Sequence, residues 1–172
     1  MGLSSVALRH LCRAVAGAAA LVMVSGAAAV MASAQEISGI PYVIDGDTLG
    51  IGGLQVRLYG IDAPEAEQTC SLIGSEAPIG IWAAETLRRL IGRGEVTCHP
   101  VTRQTRGYVV ARCRAAAADD LGRAMVAAGF AWDFPRQGHG IYADDEATAR
   151  ARRLGVWSGE TECRAPWDWR RR

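Results

Sequence analysis

The chain contains no lysine: all 19 basic residues are arginine, set against 18 acidic ones for a formal charge of +1. So small an excess does not announce a nucleic-acid binder by bulk charge, and any electropositive surface must be local. Charged residues make up only 22% of the sequence, which excludes a long, highly charged disordered protein. There is no C-x-x-C pair, and His99 and His139 lie in unrelated segments, so zinc has no ligand set. After residue 34 there is no internal repeat and no low-complexity linker. At 172 residues the chain suits one domain and not two sizeable ones.

What is present begins with an address. Arg9, His10 and Arg13 make a short basic start, Ala14 to Met31 run without a charge, and Ala32-Ser33-Ala34 supply the small residues of a cleavage site. That order predicts a secretory signal peptide over 1–34, cut before Gln35. The apolar run approaches spanning length, so an uncleaved anchor is the alternative; its alanine and glycine content makes that anchor a weak one. Cleavage removes Arg9 and Arg13 and turns the slight positive excess into a slight negative one. The expected product is a monomer, periplasmic or secreted, with no membrane attachment. Cys12 leaves with the leader, so Cys70, Cys98, Cys113 and Cys163 remain, which reads as two disulfides with three possible connectivities. Cys98 and Cys113 lie near the ends of two predicted strands on either side of one loop, which favours their pairing. Cys70 with Cys163 follows by elimination.

Residues 39–62 alternate β-branched or apolar residues with glycine-rich turns. They predict strands over Gly39 to Asp45, Thr48 to Ile51 and Leu54 to Ile61 in an antiparallel meander. Residues 63–77 read as irregular. Ile81, Ala84, Leu87 and Ile91 recur at helical spacing in a helix from Ile79 to Ile91, stopped by Gly92. Strands are expected at Glu95 to His99 and Gly107 to Cys113. A second helix follows, capped by Asp119 or Asp120, with Leu121, Ala124, Met125 and Ala128 as its stripe and Gly129 as its stop. A third spans roughly Ala143 to Arg153, with Ala143, Ala147 and Leu154 inward. The class is α+β, with a five-stranded sheet small enough to curl into a barrel and three helices. The expected organisation is a leader over 1–34, a domain over 35–160, and a tryptophan- and arginine-rich tail over 161–172.

Polar residues gather at the ends of two apolar strands, in Val43-Ile44-Asp45-Gly46-Asp47-Thr48-Leu49 and in Arg57-Leu58-Tyr59-Gly60-Ile61-Asp62-Ala63-Pro64-Glu65. Asp47 opens one strand and Asp62 closes the next, so a hairpin can bring both to one end of the sheet. Two carboxylates and a backbone carbonyl suit a hard cation such as Ca²⁺. Glu65 can hold a water as a general base, and Arg57 can direct a two-pronged donor at a phosphate. D-G-D-T is also ordinary turn chemistry, and Arg57 can equally pair with a neighbouring carboxylate. On spacing alone both readings stand.

The two motifs together, with Gly155-Val156-Trp157-Ser158 near the end, resemble the staphylococcal nuclease (thermonuclease) family over residues 39–158. The resemblance implies an OB-fold barrel with three helices and Ca²⁺-dependent hydrolysis of DNA and RNA. It makes Asp47, Asp62 and the Ala63 carbonyl the calcium ligands, Glu65 the base and Arg57 a phosphate ligand. One departure stands out. Where the family carries Tyr-Gly-Arg, this chain has Arg106-Gly107-Tyr108. On an extended strand residues 106 and 108 face one side, about 7 Å apart, so Arg106 can either reach across that gap or leave the site short of a donor. Phe134 offers a stacking face for a base; Phe130 and Trp132 read as core, and His139 as a solvated loop residue. The closing Trp167-Asp168-Trp169-Arg170-Arg171-Arg172 can touch a nucleic-acid backbone, but the commoner arrangement packs the tryptophans and solvates the arginines. A non-catalytic module binding nucleic acid or another anion is the alternative to the enzyme.

Overall fold

A computed structural model of the chain describes residues 35–101, 107–159 and 161–171; the leader assigned to 1–34 and the arginine at 106 lie outside them. In chain order the described residues form β1 (Ile37–Gly39), β2 (Tyr42–Val43), β3 (Thr48–Ile51), β4 (Leu54–Leu58), β5 (Ile61–Asp62), β6 (Cys70–Leu72) and β7 (Ser75–Ala77). There follow α1 (Ile79–Ile91), β8 (Val96–Pro100), β9 (Tyr108–Arg114), α2 (Leu121–Ala127), β10 (Trp132–Asp133), α3 (Pro135–Gly138) and α4 (Ala143–Ala151). A 3-10 turn at Gly155–Trp157, β11 (Thr161–Glu162) and α5 (Pro166–Trp169) complete the order.

The main sheet runs β1-β8-β9-β4-β3-β2. Its two edges, β1 and β2, are joined through Ile40 and Pro41 alone. Three Cα steps reach about 11 Å, whereas the edges of a flat six-stranded sheet stand about 24 Å apart. The sheet therefore has to curl until its edges approach, and a side chain built at Gly39 of β1 would begin 3.3 Å from Ile51 of β3. Leu49, Ile51, Val56, Leu58, Val96 and Ala111 fill the concave side, closed by Leu87 from α1 and by Leu121 and Met125 from α2. Each large apolar side chain so buried contributes roughly 1.5–3 kcal/mol.

The α+β class and the curled sheet match the sequence expectation, but the count of five strands and three helices does not. The strand expected from Gly39 to Asp45 is two, because Pro41 has no N–H to give the ladder. The strand expected from Leu54 to Ile61 breaks at Tyr59-Gly60, where Gly60 takes φ +80°. Its last part, β5, leaves the main sheet to pair with β10. Residues 63–77 hold the β6–β7 hairpin, to which β11 adds a third strand. α3, α5 and the 3-10 turn are also additional; segments of three or four residues are too short to show a period.

Helix α1 has the expected bounds, but its buried face runs through Ile79, Ala83, Ala84, Leu87 and Ile91, and Ile81 is exposed. Asp120 caps α2 by accepting from Arg123 N at 3.1 Å. Helix α4 buries Ala149 and not Ala143 or Ala147, and Leu154 beyond its end is also exposed. It packs through Tyr142, the residue before it, whose hydroxyl donates to Asp120 at 2.8 Å; alanines alone do not mark an inward face. Both expected disulfides are present. Cys98–Cys113 joins register partners of β8 and β9, and Cys70–Cys163 ties the β6–β7 hairpin to the C-terminal segment. Among the described residues no helix is long and apolar enough to cross a membrane.

Candidate functional site

The site starts from the turn before β3. Asp45 Oδ1 accepts from the Asp47 N–H at 2.9 Å, and the Ile44 N–H donates to Thr48 O at 2.9 Å, which closes the turn. Gly46 packs bare backbone against the end of β5 and against α1: a Cβ there would stand 2.7 Å from Ala63 Cβ and 2.8 Å from Ala83 Cβ. The β3–β4 register sets Thr48 opposite Arg57, and the Leu58 N–H donates to Asp47 O at 2.8 Å. Asp47 is thereby fixed beside Arg57. Its Oδ2 accepts from Arg57 Nη2 at 3.1 Å and from the Ala63 N–H at 3.0 Å, and its Oδ1 from Thr48 Oγ1 at 2.8 Å.

Asp62 arrives by a different route from the expected hairpin end. β5 is held by β10, with Trp132 opposite Asp62. Gly60 is clamped on both sides, its N–H donating to Gln137 Oε1 at 2.8 Å and its carbonyl accepting from the Phe134 N–H at 2.9 Å. Arg57 Nη2 then donates to Asp62 Oδ1 at 3.1 Å as well, so both carboxylates, each almost wholly buried, converge on one guanidinium nitrogen.

Glu65 sits on the turn after Pro64. Its carbonyl accepts from the Gln68 N–H at 2.8 Å and its own N–H donates to Gln68 Oε1 at 3.3 Å. Its carboxylate, 30% exposed, pairs with Arg170 Nη1. That same Nη1 donates to Asp62 Oδ1 at 3.1 Å, and Arg170 Nη2 to Asp62 Oδ2 at 2.6 Å. The expectation of solvated tail arginines is therefore corrected for Arg170, whereas Arg171, largely exposed, pairs with Asp168 at 3.3 Å. The cause is the anchoring of the tail. The Cys70–Cys163 bond, the β11–β6 pairing and a Gln68 Nε2 donation to Arg164 O at 2.8 Å bring it across the site. Trp167 stacks on Phe134, centroids 5.7 Å apart, and meets Trp132 edge-on at 6.5 Å.

A pocket of about 100 Å³ opens here, lined by Arg57, Ile61, Asp62, Tyr108, Phe134, Gln137 and Arg170. Tyr108, opposite Gln55 in the β4–β9 pairing, thus shares a wall with Arg57 and Asp62. Phe134 borders the pocket with one face against Trp167. Trp132 is buried, Phe130 packs against the core and His139 is exposed, as expected. Arg170, Gln68 and Gln137 are site residues the sequence reading missed. Only Arg170's place beside tryptophans in an arginine-rich end hinted at it, and buried Gln68 carried no signal.

The electrostatics are those of an acid surplus. Asp45, Asp47, Asp62 and Glu65 are set against two cations, Arg57 beside Asp47 and Asp62 and Arg170 beside Asp62 and Glu65. Burial, reinforced by Asp47, pushes Asp45 up to about 6. Burial also raises Asp62, against the hydrogen bond from Arg170. Burial works against the charge on Arg57, but Asp47 and Asp62 outweigh it and hold its pKa above the ordinary value. Arg170 is raised too, first by its hydrogen bond to Asp62. Among the described residues no three His, Cys, Asp or Glu side chains form a ready-made metal cage. Two buried carboxylates, oxygen donors only, with uncompensated negative charge around them nonetheless fit a hard cation that takes backbone and water oxygens for the rest of its shell.

A curled sheet bearing this acid–arginine cluster at one end agrees with what family comparison finds. The chain matches the family model of the staphylococcal nuclease homologues over residues 55–159 and belongs to that family. Among individual proteins it is similar to the succinoglycan biosynthesis protein ExoI of Rhizobium meliloti (strain 1021), 34% identical over 146 residues, which span 84% of this chain and 74% of that protein. The family match takes in Arg57, Asp62, Glu65 and Tyr108; Asp45 and Asp47 precede it, and Arg170 follows it.

Proposed function

We propose that the chain is an exported, Ca²⁺-dependent nuclease hydrolysing phosphodiester bonds of DNA and RNA, with its domain over 35–160 behind a leader at 1–34 and ahead of a tail at 161–172. Family membership supports nuclease-type chemistry or nucleic-acid binding. The observation that carries hydrolysis is the meeting of Asp47 and Asp62 on Arg57, with Glu65 joined to the same cluster through Arg170. Two disulfides suit an oxidising compartment, in keeping with periplasmic or secreted release.

In this reading Asp47, Asp62 and the Ala63 carbonyl hold Ca²⁺, which when bound neutralises a phosphoryl oxygen as a Lewis acid. Arg57 donates to a second phosphate oxygen. Glu65, at the partly exposed rim, takes a proton from a water. The water oxygen bonds to phosphorus, the bond from phosphorus to the departing oxygen breaks, and solvent protonates that oxygen. Tyr108 gives the pocket one hydroxyl donor, and the free side of Phe134 offers a nucleobase a stacking face. Arg106, two positions before Tyr108 in the sequence, is a further candidate cation.

The test is digestion of single-stranded DNA, plasmid and RNA by protein freed of residues 1–34, with calcium or with EGTA, beside Glu65→Gln and Arg106→Ala. Cleavage that needs calcium and disappears in Glu65→Gln is the expected result. Nucleic acid bound but uncut under every condition would instead favour a non-catalytic anion-binding module.

A further inference from the structure

We infer that Arg170 is a second phosphate-binding arginine of this site, delivered by the C-terminal segment and acting with Arg57 across Asp62; this rests on the nuclease reading. Arg57 Nη2 and Arg170 Nη1 each donate to the same oxygen, Asp62 Oδ1, at 3.1 Å. Two guanidiniums meeting at one atom repel each other and are held there by shared acid. A phosphodiester entering the pocket supplies the anion that both can share. Arg57 and Arg170 are the only cations among the described residues that line this pocket; β9 contributes the neutral Tyr108. The Arg170 side chain keeps 37% exposure, so its planar fork can turn from Asp62 toward an incoming phosphate while the backbone stays still. Its bond to Glu65 ties the position of that phosphate to the proposed base.

The alternative, a detachable plug that blocks the acids, conflicts with how the segment is fastened. Cys163 is covalently bound to Cys70, β11 is paired with β6, the Arg164 carbonyl is held by Gln68, and Trp167 is wedged against Phe134 and Trp132. A segment secured at four points is a wall of the site. In the hydrolysis above Arg170 forms and breaks no covalent bond; it stabilises charge gathering on the phosphoryl oxygens.

The test compares Arg170→Ala and Arg170→Lys with wild type, with Arg106→Ala and with Arg171→Ala, the neighbour paired with Asp168. Three quantities are read: kcat and KM on single-stranded DNA, the affinity of a fluorescent oligodeoxynucleotide in a Glu65→Gln background with calcium present, and calcium affinity by calorimetry. Thermal melting checks the fold. Arg170→Ala is expected to lower kcat ~100-fold and weaken oligonucleotide binding about tenfold. Arg170→Lys, which keeps the charge without the fork, recovers part of both. Arg171→Ala changes neither. Calcium affinity does not fall in Arg170→Ala, because removing one cation beside Asp62 leaves more negative field for another.

Full activity in Arg170→Ala, or a rise, would overturn the proposal. So would an unchanged oligonucleotide affinity with lowered melting or calcium affinity, which marks a purely structural pair, or a kinetic loss seen at Arg106 and not at Arg170. If wild type cuts nothing, the nuclease reading fails separately. The binding measurement then still decides: a tenfold loss in Arg170→Ala sustains the phosphate-binding role, and no loss removes it.

Discussion

Asp47 and Glu65 are both acids of the same cluster, yet their substitutions should separate cleanly. Asp47 is enclosed and accepts from Thr48, Ala63 and Arg57. Asp47→Ala leaves a buried N–H and part of a guanidinium without a partner, a loss of about 2–4 kcal/mol. Urea denaturation should show it as a lowered midpoint, together with loss of cleavage. Glu65 stands at the rim, and Glu65→Gln keeps its shape. The denaturation midpoint should stay put while the cleavage rate falls roughly 10²–10⁴-fold, the usual worth of a placed general base. The acidic residues were legible in sequence because each lies within a few residues of a strand end, where period and turn chemistry are local. The partner of Glu65 was not legible, since it lies 105 residues further along the chain.

Helix α1 and the Glu65 turn meet at Gly80, where an added Cβ would fall 1.8 Å from the Glu65 carbonyl oxygen. That atom belongs to backbone and cannot step aside. Gly80→Ala should therefore push the turn outward, costing about 1–3 kcal/mol by overpacking and lowering cleavage without touching a reacting group. Melting temperature and kcat measured on the same preparation check both. Between α2 and α4, Tyr142 is buried and donates to the capping carboxylate of Asp120. Burial, and then that bond, raise its pKa, so it remains a donor well into the alkaline range. Tyr142→Phe should cost roughly 1.5–3 kcal/mol, the range for a hydrogen bond to a charged group, read as a shift in denaturation midpoint with activity retained. Helix α1 could be read to its exact ends because thirteen residues carry several turns of periodicity. β5, β6 and β7 span two or three residues each and exist only because other strands pair with them.

At the scale of the molecule, the disulfides close loops of very different length, with sequence separations of 15 for Cys98–Cys113 and 93 for Cys70–Cys163. Loop-closure entropy gives about 3 kcal/mol for the first and about 4.5 kcal/mol for the second. A Cys70→Ser, Cys163→Ser pair should thus lose more stability than a Cys98→Ser, Cys113→Ser pair. It alone should also lower cleavage, because it loosens the segment bearing Arg170; denaturation and digestion of the two double variants measure both effects. By itself the sequence determined the strands around Asp47 and Arg57, the three longer helices and the favoured Cys98–Cys113 pair, all written in local period, turn residues and spacing. Only the tertiary structure decided which arginine closes over Asp62. That contact joins positions 108 residues apart and depends on a path set jointly by a disulfide, a strand pair and packed tryptophans, so no short stretch of sequence encodes it.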